Sequence, residues 1–518
     1  MRPIVDLSIR VGLLFAAVGP VDAQVRRVPS QHATISAALA AASSGETILV
    51  APGVYKESLV WPKTDGIRLM AEEGPAKTTI DANKAGRVIM FGSSSISRAT
   101  VLEGFTITGG LMKTSRNYGV GIHINGASPT IRGNKVTGNT GDGTSWNYGG
   151  GFYIYGSSAN PLVIANEISS NTLQNGSWNY GAGIYISGGA RGDILGNYIH
   201  GNQNLTVSSS STGRGHGAGI FVDGAALVAS NLIVNNTNNT SGWNYGGAIK
   251  IERRGNALVL NNTLAGNRCV GTIYNYGGAL HVSGSATFSF IGNIVATNTA
   301  SGGTFKGGGG LYRDSSTGGT PTLDYNDVWS NTGGDYSNLT KGANSIAVDP
   351  QFVSSSDWHL KSSSPCVDAI PAKHLTSAVE MDFEADPRRL DGDLDGGKTN
   401  GARLDIGADE FTDMRLTYSG TPKLGTISWF AFTAPSSSIY ILFMDGKRGN
   451  LHLEPFGNLL LTLGLVYMHG GTTTGKVPWL IPNAPALAGL TTHHQALILA
   501  VPTTGAARLT NLVTLTVH

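Results

Sequence analysis

Five residues near the middle of the chain have side chains of types that can take part in proton transfer: Asp223, Lys250, Glu252, Arg253 and His281. Carboxylates close to a lysine and a histidine can move protons at a sugar carbon or at a glycosidic oxygen. A lysine or arginine in such a group can also neutralise the carboxylate of an acidic substrate. Because these residues are distant in sequence, they form one site only if the fold brings them together.

A sequence repeat gives the reason to expect this proximity. Between residues 101 and 335 the pattern Asn-x-apolar-x-x-Asn recurs, and it is followed by a loop, by Tyr-Gly-Gly and by an alternating apolar segment. Successive copies begin 31 to 34 residues apart, which is typical of a solenoid. Apolar residues alternate with a period of two, as at Phe152 and Ile154, which indicates strands rather than helices.

In a solenoid of parallel strands, equivalent residues of successive coils lie about 4.8 Å apart and form columns. The outward column after Tyr-Gly-Gly is mostly aromatic before it reaches Lys250 and His281, and we predict that it faces solvent. Sugar rings stack on aromatic faces, and a polymer fits an extended groove. Tryptophans two residues before the repeat tyrosines would form a flanking wall. The predicted substrate-binding residues are His123, Tyr153, Tyr155, Tyr185, Phe221, Tyr312, Trp146, Trp178 and Trp243.

A structural explanation of the same column stays open. Outward ladders of similar residues also stabilise a solenoid by stacking. Ion pairs such as Asp223 with Lys250 would then be surface pairs, each contributing about 0–1 kcal/mol. The repeated asparagines are predicted to be structural, because side-chain amides at successive bends can bond to one another and to turn backbone.

Residues 30–345 resemble the right-handed parallel β-helix proteins, the superfamily that includes pectate lyases. The resemblance implies an all-β fold: a right-handed parallel β-helix with an N-terminal capping helix and a small C-terminal β-sandwich. It implies a fold and not a reaction. Residues 30–63 are similar to the opening of pectin methylesterases, but the paired-Asp segments of those esterases are not found downstream, so their activity is not implied.

Composition and apolar runs divide the chain into five segments. Residues 1–23 have the pattern of a secretory signal peptide. Residues 24–100 are predicted to form the cap and first coils, and residues 101–345 the repeats. Residues 346–412 are predicted to be closing turns with an acidic loop. Residues 413–518, with few charges and several apolar runs, are predicted to be the β-sandwich and a means of attachment to the cell surface.

Charge and hydropathy exclude some partners. A net charge of +2 gives no nucleic-acid footprint, and the apolar run at the N-terminus is too short to span a bilayer. Cys269 and Cys366 are the only cysteines, so no disulfide framework is predicted. We expect a secreted, extracellular or cell-surface protein that requires no cofactor for its chemistry.

A structural Ca²⁺ is predicted at Asp391, Asp393 and Asp395, which alternate and are followed by a glycine, as in the opening of a calcium loop. The acid that would complete an EF-hand is replaced by Ala402. A calcium site of another type would need its remaining ligands from other segments of the chain. The alternative is that the segment is a solvated acidic turn that binds no metal. The candidate additional ligands are Asp382, Glu384, Asp405 and Asp409.

Three functions remain open on the sequence alone. The first is an enzyme acting on an acidic polysaccharide, most readily as a lyase with Lys250 or His281 as the base. Hydrolysis, with Asp223 and Glu252 as acid and base, and epimerisation are variants of it. The second is a carbohydrate-binding solenoid without catalysis, and the third is a structural or adhesive protein of the cell surface.

Overall fold

The computed structural model describes residues 25–206, 213–315, 320–371, 382–384, 388 and 403–411, and the backbone of strands between residues 415 and 516. Within the described residues, the chain winds as a right-handed solenoid of parallel strands with almost no helix, which confirms the predicted all-β fold. The predicted signal peptide at residues 1–23 and the acidic loop at Asp391, Asp393 and Asp395 lie outside the described residues.

Three long parallel sheets, here called A, B and C, form the walls of the solenoid. Sheet A comprises Val25–Val28, Thr47–Val50, Arg68–Ala71, Val101–Glu103, Thr130–Arg132, Leu162–Ile164, Arg191–Leu195, Ala225–Ala229, Asn256–Leu260, Thr287–Ile291 and Thr322–Asp324. Sheet B comprises Gly53–Tyr55, Thr78–Asp81, Thr106–Thr108, Lys135–Thr137, Glu167–Ser169, Tyr198–His200, Leu232–Val234, Thr263–Ala265, Ile294–Ala296 and Asp327–Trp329. Sheet C comprises Leu59–Val60, Ile89–Phe91, Ile122–Asn125, Phe152–Tyr155, Ile184–Ser187, Ile220–Val222, Ile249–Glu252, Leu280–Ser283, Leu311–Arg313 and Tyr336–Ser337.

The segment between the Asn pattern and Tyr-Gly-Gly, expected to be a loop, is instead two further strands in seven successive coils. These strands build sheets D and E, which together are called the arm. Sheet D comprises Leu111–Met112, Thr140–Asp142, Thr172–Gln174, Gln203–Leu205, Thr237–Asn239, Arg268–Cys269 and Thr299–Ala300. Sheet E comprises Arg116–Tyr118, Trp146–Tyr148, Trp178–Tyr180, Gly215–His216, Trp243–Tyr245, Tyr274–Tyr276 and Phe305–Gly307. Each long coil therefore passes through sheets A, B, D, E and C in turn.

The inward residues of sheets A, B and C form one continuous apolar core. Ile131, Val136 and Ile154 are fully buried members of it, as are their equivalents in the neighbouring coils. The period-two alternation therefore correctly predicted which side chains point inward.

Two buried asparagine ladders hold successive coils in register on either side of sheet B. Asn236, for example, donates to Ile199 O at 2.9 Å and to Asn267 Oδ1 at 3.0 Å, and its own Oδ1 accepts from the Asn202 backbone and side chain. Buried amides satisfied in this way link each coil to its neighbours. The ladders are Asn134, Asn166, Asn197, Asn231, Asn262, Asn293 and Asn326, and Asn139, Asn171, Asn202, Asn236, Asn267, Asn298 and Asn331.

A helix over Ile35–Ala41 covers the N-terminal end of the core. Thr34 caps it, accepting from Ala37 N at 3.1 Å, and Ile35, Ala38 and Leu39 are buried. This is the N-terminal capping helix that the resemblance implied, and it shields the first coils as an open solenoid end requires.

Residues 346–371 and 403–411 pack against the C-terminal coils. Ile294 shares an apolar cluster with Leu360, Cys366, Ile370 and Leu404. The strands Ile370–Pro371 and Arg403–Leu404 pair antiparallel.

Beyond residue 414, the described strands pair antiparallel, and their arrangement as a β-sandwich remains a prediction. These strands are Arg415–Ser419, Ile427–Thr433, Ser438–Asp445, Arg448–Leu453, Gly457–Leu461, Gly475–Leu480, Thr491–Ala500, Ala507–Leu509 and Val513–Thr516.

Candidate functional site

The arm and sheet C meet at a corner made by the Tyr-Gly-Gly segments. Gly149 has φ +64°, which favours glycine, and a Cβ on Gly150 would lie 2.4 Å from Ala182 O. The first glycine of each segment supplies the positive φ that this tight turn between sheets E and C needs, whereas the second position is alanine in the next two coils. As a result, the outer face of sheet E lies against the outer face of sheet C, and the two faces form a groove along the solenoid axis.

Aromatic rings from both faces line this groove. In sheet C, Tyr153 and Tyr185 stack with ring centroids 5.3 Å apart, and in sheet E, Tyr148 and Tyr180 stack at 5.4 Å. The two sets also contact each other, because the Tyr148 ring lies 5.2 Å from that of Tyr185. The register pairs His123 with Tyr153, Tyr153 with Tyr185, and Tyr185 with Phe221, so the predicted column is confirmed as one column.

The column is much less open than the sequence suggested. Tyr153, Tyr185 and Phe221 are only 6%, 7% and 2% exposed. The expectation of a flat, solvent-facing strip was wrong for these residues because the arm, expected to flank the column, folds over it. Burial raises the pKa of Tyr148 to about 12 and lowers that of His123 to about 3, so both groups are neutral near pH 7.

Two neighbouring cavities occupy the groove. One, of about 530 Å³, is lined by His123, Tyr153 and the exposed ring of Tyr155, among others. The next, of about 310 Å³, is lined by Trp146 and Trp178. Tyr148, Tyr185 and Asp223 line both cavities, so the two spaces adjoin.

The predicted tryptophans form an outer column of sheet E that also contains two arginines. Arg214 lies between Trp178 and Trp243, with its guanidinium carbon 3.8 and 4.0 Å from the two ring centroids. Arg116 lies 4.3 Å from the Trp146 ring. Neither arginine was among the residues predicted from the sequence. The coil that reads Arg-Gly-His where its neighbours read Trp-Asn-Tyr was the available signal.

Lys250 and His281, predicted as catalytic, are brought together but are sealed beneath the arm. They are 1% and 0% exposed, and Lys250 Nζ lies 2.8 Å from His281 Nδ1. Lys250 Nζ also donates to Ser283 Oγ. Burial lowers the pKa of Lys250 to about 8 and that of His281 well below its usual range. Because Lys250 bonds to His281 and Ser283, the surface pair with Asp223 considered above does not describe it.

Three further polar residues, Asp314, His216 and Tyr245, adjoin this pair and were not predicted as part of it. His281 Nε2 lies 3.5 Å from Asp314 Oδ1. Burial raises the pKa of the Asp314 carboxyl, whereas burial lowers the pKa of His216, which takes the place of a tyrosine in sheet E. The His281 ring is stacked against Tyr245, with centroids 4.5 Å apart, and Tyr312 packs on its other side at 5.0 Å.

Asp223, Glu252 and Arg253 differ from Lys250 and His281 because they line the smaller cavity. Burial raises the pKa of Asp223, and the neighbouring Glu252 raises it further. Arg253 is 78% exposed, and its Nε lies 3.6 Å from Glu252 Oε1. The five predicted catalytic residues therefore separate into three that line the groove and two beneath it.

The described residues contain no group of three or more His, Cys, Asp and Glu side chains arranged to hold a metal. The Ca²⁺ proposed at Asp391, Asp393 and Asp395 remains a prediction. Of the candidate additional ligands, Asp405 accepts from the backbone of Asp368 and Phe411, and Asp409 accepts from that of Leu360. Cys269 and Cys366 are free and buried.

Comparison with known proteins agrees with this architecture. Residues 76–293 match a family model described as a right handed beta helix region, and residues 223–377 match one described as disaggregatase related. Searches of curated proteins and of solved structures gave no match. The fold and the first match identify the chain as a right-handed parallel β-helix protein.

Together the two matches suggest a carbohydrate-related solenoid, and both regions are typical of extracellular proteins. In the described part of the chain, no helix has the length and hydropathy to cross a membrane.

Proposed function

We propose that the groove between sheets C and E binds an extracellular polysaccharide chain along the solenoid axis. The observation that carries this proposal is the set of stacked aromatic columns lining two adjoining cavities, of about 530 and 310 Å³. Aromatic faces favour sugar rings, and concave sites bury most of a ligand's surface. Strand spacing of about 4.8 Å is close to the advance of one pyranose in an extended chain, so each coil can serve one sugar.

The positive groups along the groove support an acidic polymer. Arg116 and Arg214 lie in the tryptophan column, and Arg253 lines the smaller cavity. The Arg214 guanidinium lies against two tryptophan rings that are perpendicular to each other, and its N–H groups that do not face a ring can donate to a carboxylate.

The test is to measure glycan binding by a variant that lacks one aromatic ring of the groove and whose fold should be little affected. Tyr155 is 43% exposed and lines the larger cavity. Loss of one stacking contact removes about 1 kcal/mol, so Tyr155→Ala should weaken binding roughly fivefold. The measurement is isothermal titration with soluble neutral and acidic oligosaccharides after an array screen of the full chain.

The matched control is Tyr198→Ala, because Tyr198 is an aromatic residue on sheet B that stacks on His200 outside the groove. This variant should bind glycans like the parent protein. Absence of glycan binding by the parent, or equal losses in both variants, would argue against the groove as the site.

Hydrolysis is the second candidate, favoured by the position of Asp223 and Glu252 on the same cavity wall. A carboxyl with a raised pKa can act as the acid while its neighbour stays ionised. Lys250 and His281 are less suitable as the base of a lyase because neither reaches the cavity. Glu252→Gln should abolish the release of reducing ends from a bound polymer and preserve binding of that polymer. A variant that binds the polymer less well but still releases reducing ends would contradict this role.

A further inference from the structure

Ser283 occupies an unusual position in the outer columns of sheet C. It follows Glu252 in the register, so it lies one strand spacing, about 4.8 Å, beyond a residue that lines the smaller cavity. Ser283 is partly exposed, whereas the Lys250 amino group to which it is hydrogen-bonded is buried. A buried amine therefore contacts the hydroxyl of a partly exposed residue.

The surroundings of Lys250 fix the direction of its amino group. His281 Nδ1 lies 2.8 Å from Lys250 Nζ, and the opposite ring nitrogen faces Asp314 at 3.5 Å. A neutral His281 with its ring proton on Nε2, which lies 3.5 Å from Asp314 Oδ1 but is not hydrogen-bonded, leaves Nδ1 to accept a hydrogen bond from Lys250. When Lys250 is neutral, one of its N–H groups can stay on His281 and its lone pair can accept the Ser283 hydroxyl proton.

We propose that Ser283 and Lys250 form a nucleophile and general-base pair that cleaves acyl esters, and that His281 positions the lysine. A serine next to a lysine is a known alternative to the serine and histidine pair of acyl-transfer enzymes. The substrate class is an O-acylated sugar held in the groove. This choice of substrate rests on the proposed glycan binding, whereas the nucleophile itself does not.

The reaction balances with water as the only co-reactant. Ser283 Oγ bonds to the ester carbonyl carbon as Lys250 Nζ takes its proton, and the sugar oxygen then leaves with that proton from Lys250. Water attacks the resulting acyl-serine and gives a proton to Lys250, and Ser283 Oγ recovers it as the carboxylic acid departs.

A fluorophosphonate tests the nucleophile without requiring any glycan. Its phosphorus accepts Ser283 Oγ, fluoride leaves, and the adduct adds a fixed mass that peptide mass spectrometry can locate. The full chain should be labelled at Ser283. Ser283→Ala should remove this label, and Lys250→Met should slow labelling about 10²-fold or more, the usual contribution of a general base. Lys250→Met removes a buried charge and keeps the side-chain volume, so the fold should persist.

The matched control is Ser285→Ala, because Ser285 is an exposed serine two residues away whose hydroxyl donates to Arg253 O at 2.8 Å. This variant should be labelled at the parental rate. No adduct on Ser283, or an adduct that forms equally fast in Lys250→Met with a native circular dichroism spectrum, overturns the proposal. Failure of glycan binding with Ser283 still labelled would reject only the sugar substrate.

The pH dependence separates the base from an ordinary surface serine. The amino group of Lys250 faces His281, Ser283 and the Tyr245 ring, and Glu252, Asp314 and His216 act on the charges of the cluster. Burial lowers the pKa of Lys250 to about 8, so labelling should rise towards that pH and then level off. His281→Phe, which preserves the stack with Tyr245, should move this midpoint. A rate that falls at every pH with the midpoint unchanged would contradict the positioning role.

Discussion

At the scale of single residues, most of the groups proposed to carry chemistry are departures from the repeat. His216 and Arg214 replace a tyrosine and a tryptophan of the arm in one coil, and Lys250 and His281 replace aromatic residues of sheet C in the next two coils. In a solenoid, each exchange places a charge or a proton donor between rings whose positions the neighbouring coils already fix. Such a site is pre-organised because the repeats hold it on both sides.

Arg214→Trp would restore the repeat residue, and it tests whether this arginine selects acidic glycans. An aromatic residue would still lie against Trp178 and Trp243, but the guanidinium would be lost. We expect affinity for an acidic oligosaccharide to fall about tenfold, because a charged hydrogen bond contributes about 1.5–3 kcal/mol at most sites and less when exposed. Affinity for the neutral analogue should be unchanged or higher. In the same titration, the affinity of Arg214→Lys for the acidic oligosaccharide should lie between those of the parent protein and Arg214→Trp. Equal losses of affinity for the acidic and the neutral glycan would contradict selection by charge.

At the scale of elements, the asparagine ladders decide whether sheet B stays in register with its neighbours. Asn236→Ala would leave the Asn202 amide groups and the Ile199 carbonyl without their buried partner. Each such group costs about 1–3 kcal/mol, so we expect a loss of at least ~3 kcal/mol in the free energy of unfolding. Urea denaturation followed by circular dichroism measures this.

The comparison variant for that experiment is Asn239→Ala, three residues further along the same coil. Asn239 is exposed at the end of a strand of sheet D, and exposed substitutions usually change stability by less than about 0.5 kcal/mol. Similar urea midpoints for the two variants would mean that the ladder contributes little.

At the scale of the whole molecule, the repeats should be removable one at a time. Residues 140–171 form one coil, since Thr140 and Thr172 are register partners. Their deletion would place Arg116 beside Trp178 and Tyr118 beside Tyr180, so the columns would remain continuous. Because each coil contacts chiefly its neighbours, the deletion protein should fold and be shorter by about 4.8 Å.

Small-angle scattering and circular dichroism would measure that outcome, and the glycan titration adds a functional comparison. The deletion removes Tyr148, Tyr153 and Tyr155 from the groove. Binding of long oligosaccharides should therefore weaken, whereas labelling of Ser283, several coils away, should continue. An unfolded deletion protein would show that the solenoid folds as one unit rather than coil by coil.

The sequence by itself determined the winding of the chain. The fixed repeat, the period-two alternation and the paired asparagines predicted the parallel strands, the inward residues and the column that joins Tyr153 to His281, because these depend on local geometry repeated many times. Only the tertiary structure decided that the segment before Tyr-Gly-Gly forms two strands and covers that column. Burial of Lys250, its contact with Ser283 and the place of Arg214 between two tryptophans follow from that packing. Side chains distant in sequence acquire their exposure and pKa from neighbours on other coils, which no single repeat specifies.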